Sequence, residues 1–574
     1  MQKGPLLRRF LAGLVGLLIT APLALALLVA LAFAGHTGPL ARVLSGGDSL
    51  LELVDELRNP AEPDSGAPSD PNRLVITHGV ASGDVTDRSA VIWARANGPA
   101  TMHIAADAFG WLAIPEPSPI VVDATHDFTG HVVIRDLQPD TAYSYRVWFT
   151  RVSDSGGTIS SDVEPGSFRT APLADRPAAV TLLFGGDLGG GGNCRLADRG
   201  YPIFNAMAQL NPTLVLALGD MIYADNTCTR RGPNGVSYVP GSFRPVDHPT
   251  VDWREPAQTL PTYWGHWRYN RADLGLQRLL AAAPVFAMWD DHEIINDSGG
   301  SWATWRAGTE DRLGYPNLVA AARDSFFAYW PVARRTDDPN RLYRSFHWGQ
   351  DVDLIMLDVR SYRSRNNEED TPDHAKTMLG AEQLAWTKRE LATSRATWKI
   401  VTTGVPLSAP TGGLAVPLFG RDGWASGAGP DAFARTGFER ELLDLLGFLD
   451  DQRIENVVFL GADMHQALAI RYAIDLNGDG RTLRFHEFIA GPFSAVPRAD
   501  VPALDPTLSP TLLYGEGGFF NFGYIRIERA PDGVPRLSFS VRDTEGTIRP
   551  ASVLQLDPAS ATSPEQANER ADAS

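Results

Sequence analysis

At 574 residues the chain exceeds one ordinary domain, and a composition of 44% hydrophobic and 21% charged residues with 14 Trp excludes general disorder. A formal net charge of −17 excludes nucleic acid as the main partner, because binding a phosphate backbone requires a basic face. It does not exclude a phosphorylated ligand: bound cations reverse the local field, and an Asp cluster holding them accounts for part of the negative excess.

Lys3, Arg8 and Arg9 precede an uncharged stretch from Phe10 to Ala34, long enough to cross a bilayer. The flanking positive charges predict a cytoplasmic N-terminus and an exported body. Residues 1–36 are read as a transmembrane anchor or a signal segment, with Ala32-Phe33-Ala34 as a small-x-small cleavage site. Arg8-Arg9-Phe10-Leu11 resembles a twin-arginine signal, with tighter spacing. The expected location is periplasmic or otherwise extracytoplasmic, in contact with the membrane if the segment is not cleaved. Residues 37–71 carry a short helix around Ser49–Leu57 and then a Pro/Asp/Ser-rich linker.

Residues 72–172 read as short strands separated by turn clusters. Leu137, Pro139, Thr141, Tyr143 and Tyr145 are spaced as in fibronectin-type sandwiches, where a tyrosine corner pins a loop to a strand. A small fibronectin/Ig-like β-sandwich follows, with Trp93 as its core aromatic.

From about Ala179 buried strands alternate with helices, which predicts an α/β layered core over residues 177–550. The strands are 179–187, 212–220, 284–291, 352–360, 398–407 and 456–465; helices fall near 201–210, 271–282, 316–330, 380–393 and 434–451. Residues 484–546 are again β-rich, and 558–574 read as a disordered Ala/Ser/Glu-rich tail.

Four of the buried strands end in carboxylates or other ligand-type residues: Asp187, then Gly219-Asp220, then Asp290-Asp291-His292-Glu293, then Asp463-x-His465. Ligands bind beyond the carboxyl ends of strands in open α/β sheets. Asp187 alone serves equally as a helix cap, and His292 alone as an ordinary buried histidine. Together, the converging carboxylates repel one another unless cations neutralise them. Oxygen-rich donors with one imidazole suit Fe, Mn, Ca or Zn.

Other signals are weaker. Arg360 and Arg363, just beyond a strand, are placed either to clamp phosphate oxygens or to pair with Asp358 and its neighbours. Gly189–Gly192 offers backbone N–H groups. Asp475–Gly480 starts like an EF-hand loop, but His486 stands at the twelfth position, so a solvated turn is expected. His248, His266 and His347 lack ligand spacing and are read as structural. Cys194 and Cys228 follow the first two strands on one sheet edge, and are either a disulfide at the site rim or two unpaired thiols.

The stretches LALGDMIYAD (216–225), AMWDDHEIIND (287–297), LIMLDVRSYR (354–363), LGAEQLAW (379–386) and FLGADMHQA (459–467) resemble the PhoD-type alkaline phosphatases of the calcineurin-like metallophosphoesterase superfamily. HGVASGDVTDRSAVIWAR (78–95) resembles that family's N-terminal domain, so the resemblance runs from about 74 to 545. It implies a metallophosphoesterase-type layered β-sheet core with flanking helices, preceded by the sandwich. It further implies that Asp220 bridges two metals, that Tyr223 is a phenolate ligand to ferric iron, and that His465 completes that site. Asp463 and Asp291 would hold a second ion, calcium, with Asn296 as a spare candidate, and His292 would act on the leaving oxygen.

One position departs from the family: Asp187 stands where a Cys thiolate is usual, which lowers selectivity for iron and leaves Mn or Zn open beside Fe(3+) and Ca(2+). The implied activity is metal-dependent hydrolysis of phosphate esters outside the cytoplasm. Alternatives are a phospholipase-like or teichoic-acid-type phosphodiesterase, and a non-catalytic surface protein with a vestigial metal site.

Overall fold

Near-continuous apolar runs become strands covered on both faces, as parallel strands sandwiched between layers require. The computed structural model describes residues 73–559 apart from 233–234, 249, 300–301, 304–314, 412–419 and 428–434. The expected N-terminal segment, the Ser49–Leu57 helix, the linker and all but the first residues of the tail lie outside the described residues. Among those described, no helix is long and apolar enough to cross a membrane.

The chain first forms β1 (Ile76–Gly83), β2 (Ala90–Ala96), β3 (Ala100–Ala108), β4 (Thr129–Ile134) and β5 (Ala142–Val152). Alternation then begins, with β6 (Val180–Gly185), α1 (Pro202–Gln209), β7 (Leu214–Leu218), α2 (Pro256–Arg271), α3 (Leu274–Ala282), β8 (Val285–Met288) and α4 (Tyr315–Tyr329). A second series follows: β9 (Arg344–Trp348), β10 (Val352–Met356), α5 (Gly380–Thr393), β11 (Trp398–Gly404), α6 (Glu439–Asp451), β12 (Val457–Gly461), β13 (Ala467–Ile474), β14 (Leu483–Ile489) and β15 (Pro510–Glu516). Last come β16 (Asn521–Arg529), β17 (Pro535–Asp543) and β18 (Leu554–Leu556).

Two sheets result, in the orders β18-β17-β16-β6-β7-β8-β1-β2-β4 and β9-β10-β11-β12-β14-β13-β15. Within them β6, β7 and β8 run parallel, as do β10, β11, β12 and β14. Side chains alternate across each strand. Leu182, Phe184, Leu216 and Met288 point between the sheets to meet Leu354, Met356, Ile400 and Leu460 in one shared core. Leu183, Val215, Ala217 and Ala287 point outward under α1 to α4, and Ile355, Val401 and Phe459 outward under α5 and α6. Helices thus flank two central sheets, which aims the carboxyl ends of β6, β7, β8 and β12 at a common edge.

The N-terminal sandwich is built into this frame. β1 pairs parallel with β8 at Gly83↔Val285, so β1, β2 and β4 extend the larger sheet, while β3 and β5 form the facing one with four short strands. The Tyr143 hydroxyl accepts the Gln138 N–H at 2.8 Å, pinning the loop as the corner motif anticipates. Trp93 is a correction. Ile92 and Ala94 fill the sandwich core, and period-2 alternation turns Trp93 to the opposite face, among the helices, where its indole donates to the Ala328 carbonyl at 2.7 Å. The helix α2 was not anticipated: Pro261 and Gly265 interrupt any helical pattern in its 16 residues. Asp475 accepts the N–H groups of Asp479 and Gly480 at 3.2 and 3.0 Å, an exposed turn and not an EF-hand.

Candidate metal centre

Four of the side chains expected at the site hang from residues in the left-handed backbone region: Asp187 (φ 63°), Asp220 (φ 54°), Asp463 (φ 62°) and His465 (φ 55°). That conformation costs an L-residue about 1 kcal/mol or more and gathers at functional sites. Here it turns each chain sharply off its strand end, so that the side chain points back over the sheet edge. Close backbone approach makes this possible: a Cβ at Gly219 would stand 2.5 Å from Asp290 Cβ, and one at Gly190 would stand 2.3 Å from the Tyr223 ring.

The turns bring the groups together. His465 Nε2 lies 2.7 Å from the Tyr223 hydroxyl and 3.7 Å from Asp187 Oδ1. Its Nδ1 is 2.6 Å from the Val496 carbonyl. A carbonyl only accepts, so the proton sits on Nδ1 and the Nε2 lone pair faces Tyr223 and Asp187. Asp220, Asp291 and His292 present ligand atoms within 4.8 Å of one another, as do Asp290, Asp291 and Asp463.

These residues fit a bound cation. Both Asp187 oxygens and Asp291 Oδ1 are buried without a hydrogen-bond partner among the described residues, a condition carboxylates tolerate when they coordinate metal. Burial, and then the neighbouring carboxylates, hold Asp187, Asp220 and Asp463 well above the usual carboxylate range. Burial likewise raises Asp290 to about 6 and Glu293 to about 8. Each group binds its proton more tightly folded than unfolded. The contribution of these groups to the metal-free fold is therefore complete below about pH 4 and is lost as pH rises through these values. Chelator-treated protein is expected to show a falling melting temperature from about pH 5 to about pH 8, and the metal-loaded protein a flat one. Parallel melting curves across that range would remove the electrostatic argument.

Around the ligands lies a second set of residues that the sequence reading did not single out. Glu293, fully buried, accepts the backbone N–H groups of Asp220 (2.8 Å), Met221 (2.7 Å) and Asp290 (2.7 Å), locking two strand ends to each other. Asp225 Oδ1 lies 2.7 Å from His292 Nδ1, and its Oδ2 accepts the Asn296 N–H at 3.0 Å. Burial opposes the His292 charge, but Asp225 and then Asp291 override it and raise that imidazole to about 10. Glu293 and Asp225 both stand inside motifs quoted above, and each reaches across to the other motif, to partners 67 to 73 residues away.

Arg360 and Arg363 are not where a phosphate-clamping role needs them. The Arg360 guanidinium has no exposed surface; it makes a two-pronged pair with Asp422 at 2.7 Å per oxygen, contacts Asp290, and reaches the Ser298 carbonyl at 3.2 Å. Arg363 packs over the Phe438 ring at 4.6 Å and donates to the Asp422 carbonyl. Both serve as counter-charge beside the acidic cluster and meet Asp422, which follows β11 without any recognisable motif. Cys194 and Cys228 form a disulfide, stapling the loops after β6 and β7.

The model of the PhoD-like phosphatase family matches residues 192–531, and that of the PhoD-like phosphatase N-terminal domain matches 61–172. Alkaline phosphatase D of Bacillus subtilis (strain 168) is 26% identical over 441 residues, spanning 72% of this chain and 68% of that protein. Purple acid phosphatase 23 of Arabidopsis thaliana is 27% identical over 294 residues, about half of each chain. A solved structure of PhoD superposes with TM-score 0.58 at 19% identity, covering 88% of this chain and 94% of that one. Purple acid phosphatase PPD1 from yellow lupin seeds superposes with TM-score 0.52 at 13% identity, covering 85% and 75%. At such identities the two superpositions establish the fold. With the family model spanning more than half the chain, this protein is a phosphoester hydrolase that belongs to the PhoD-like phosphatase family.

Proposed function

We propose that Asp187, Asp220, Tyr223 and His465 hold one cation, and that Asp220, Asp291 and Asp463 hold a second. The observation that carries this reading is the set of four left-handed strand-end residues aiming buried side chains at one edge, where both Asp187 oxygens and Asp291 Oδ1 lack a hydrogen-bond partner among the described residues. Bound cations there supply positive charge to phosphoryl oxygens and lower the pKa of water. The donor set favours Fe(3+) beside the Tyr223 oxygen and Ca(2+) among the carboxylates, with Mn or Zn as the alternative that Asp187 admits.

The chain's own contribution is positioning and proton transfer. His292 carries a proton at Nδ1 for Asp225, which leaves Nε2 to protonate the departing alcohol oxygen. The Tyr223 ring, 3.9 Å from the imidazole, prevents it from rotating away. Asp225→Asn is expected to lower kcat by about 10–100-fold with bound metal unchanged. An unaltered kcat would leave Asp225 without a role in orienting the histidine.

Substrates in this reading are phosphate monoesters, diesters or both, and p-nitrophenyl phosphate assayed against its bis-ester on the metal-loaded enzyme decides. A ferric ion on the Tyr223 oxygen gives a visible charge-transfer band that Tyr223→Phe abolishes; an active, colourless wild type would assign Mn or Zn instead. The proposed place of action is outside the cytoplasm. The uncharged Phe10–Ala34 stretch behind Lys3, Arg8 and Arg9 supports it, as does the Cys194–Cys228 disulfide, since such bonds persist in oxidising compartments.

A further inference from the structure

Arg271 ends α2 where the N-terminal sandwich meets the helical layer, and it is only 2% exposed. Its guanidinium carbon stacks 4.0 Å from the Trp93 ring centroid and stands 5.8 Å from that of Trp330. None of Nε, Nη1 and Nη2 has a hydrogen-bond partner among the described residues. The same holds for the buried Trp330 indole Nε1; the Tyr145 phenol also acts on Arg271, and its hydroxyl pairs with that of Ser82. These groups come from four separate segments: β1, β5, the end of α2 and the residue just past α4.

The charge is unbalanced as well as unbonded. Arg95 pairs with Asp127, Arg344 with Asp84 and Arg360 with Asp422, so these three deeply placed guanidinium groups meet carboxylates. For Arg271 the acting groups are the phenols of Tyr329 and Tyr145. The carboxylate beside Tyr329, Asp127, is already committed to Arg95, Arg268 and the Tyr329 hydroxyl. An isolated buried charge costs several kcal/mol, and arginine does not escape by losing its proton. Guanidinium and indole only donate hydrogen bonds, and one hydroxyl of the Tyr145–Ser82 pair is left to donate outward, so the cluster offers donors around a positive charge and no acceptor of full charge. Indole walls on two sides restrict the complementary ligand to a small ion.

We propose that Arg271, Trp330, Tyr145 and Ser82 form a buried site for a small monovalent anion of the halide class, chloride, that locks the sandwich to the helical layer. Water satisfies hydrogen bonds but not the charge; the anion does both. The site is separate from the metal centre, and its occupancy contributes to stability through binding to the folded state alone.

The test uses the full, metal-loaded chain. Thermal melts in sodium chloride and in sodium gluconate at equal ionic strength are expected to differ, chloride raising the melting temperature by roughly 2–4 °C in a saturable way. Bromide should substitute, and crystals grown in bromide should show an anomalous peak within hydrogen-bonding distance of the Arg271 nitrogens. Arg271→Met should lose the chloride dependence. Equal melting in chloride and gluconate overturns the proposal, and so does a chloride effect that survives in Arg271→Met. Should that variant fail to fold, the wild-type bromide map decides: a map without a peak at Arg271 refutes the site.

Discussion

Asp220→Asn is expected to reduce kcat/KM for p-nitrophenyl phosphate by about 10³-fold, equivalent to about 4 kcal/mol of transition-state stabilisation. Asp220 is the carboxylate shared between the two proposed cations, so losing its charge weakens both. The backbone tolerates the change, because asparagine adopts the left-handed conformation that Asp220 occupies at φ 54°. The His292 N–H, 3.1 Å from Oδ1, still meets an acceptor. The same substitution removes one charge from a self-repelling cluster, so the chelated variant is expected to melt higher than the chelated wild type. Activity would fall while apo stability rises, a combination that misfolding cannot produce. Wild-type turnover in Asp220→Asn, with metal content unchanged, would refute the bridging role.

Asp422→Ala is expected to destabilise the fold by about 3–5 kcal/mol, the usual cost of removing one partner from a buried ion pair. Burial works against the Asp422 charge, yet Arg360 and then Arg363 hold its carboxyl below the usual carboxylate range. Its loss strands Arg360, whose remaining partners Asp290 and Asp291 already belong to the acidic cluster. With a depressed carboxyl, the contribution is present at neutral pH and fades as acid titrates the group through its folded value. Urea unfolding at neutral pH measures the effect. A raised KM with unchanged unfolding would instead return Arg360 to the phosphate.

Much of the site was legible in one dimension. A strand buried on both faces reads as a continuous apolar run, and the residue that ends it reads as the next polar one, so Asp187, Asp220, Asp291 and Asp463 could be placed on one edge from local pattern alone. Tyr223, His292 and His465 came with their motifs. Asp225 and Glu293 sat in the same motifs but carried no sign of what they bind, because a carboxylate that accepts backbone N–H groups looks, in sequence, like any other. Arg360 was readable as a cation near the site and not as one enclosed by Asp290 and Asp422. Asp422 had no signal: the loop that carries it shows no periodicity, and its partner is 62 residues distant.

By itself, then, the amino-acid order determined the strand–helix alternation, the turn chemistry and the class of ligand donors, since each depends on neighbours within a few residues. Tertiary structure alone decided that β1 joins the larger sheet, that Trp93 faces the helices, that Asp422 meets the arginines and that Arg271 has no carboxylate partner among the described residues. Those outcomes rest on which distant surfaces come into contact and shed water together, and charge compensation in a buried volume is a property of everything enclosed there.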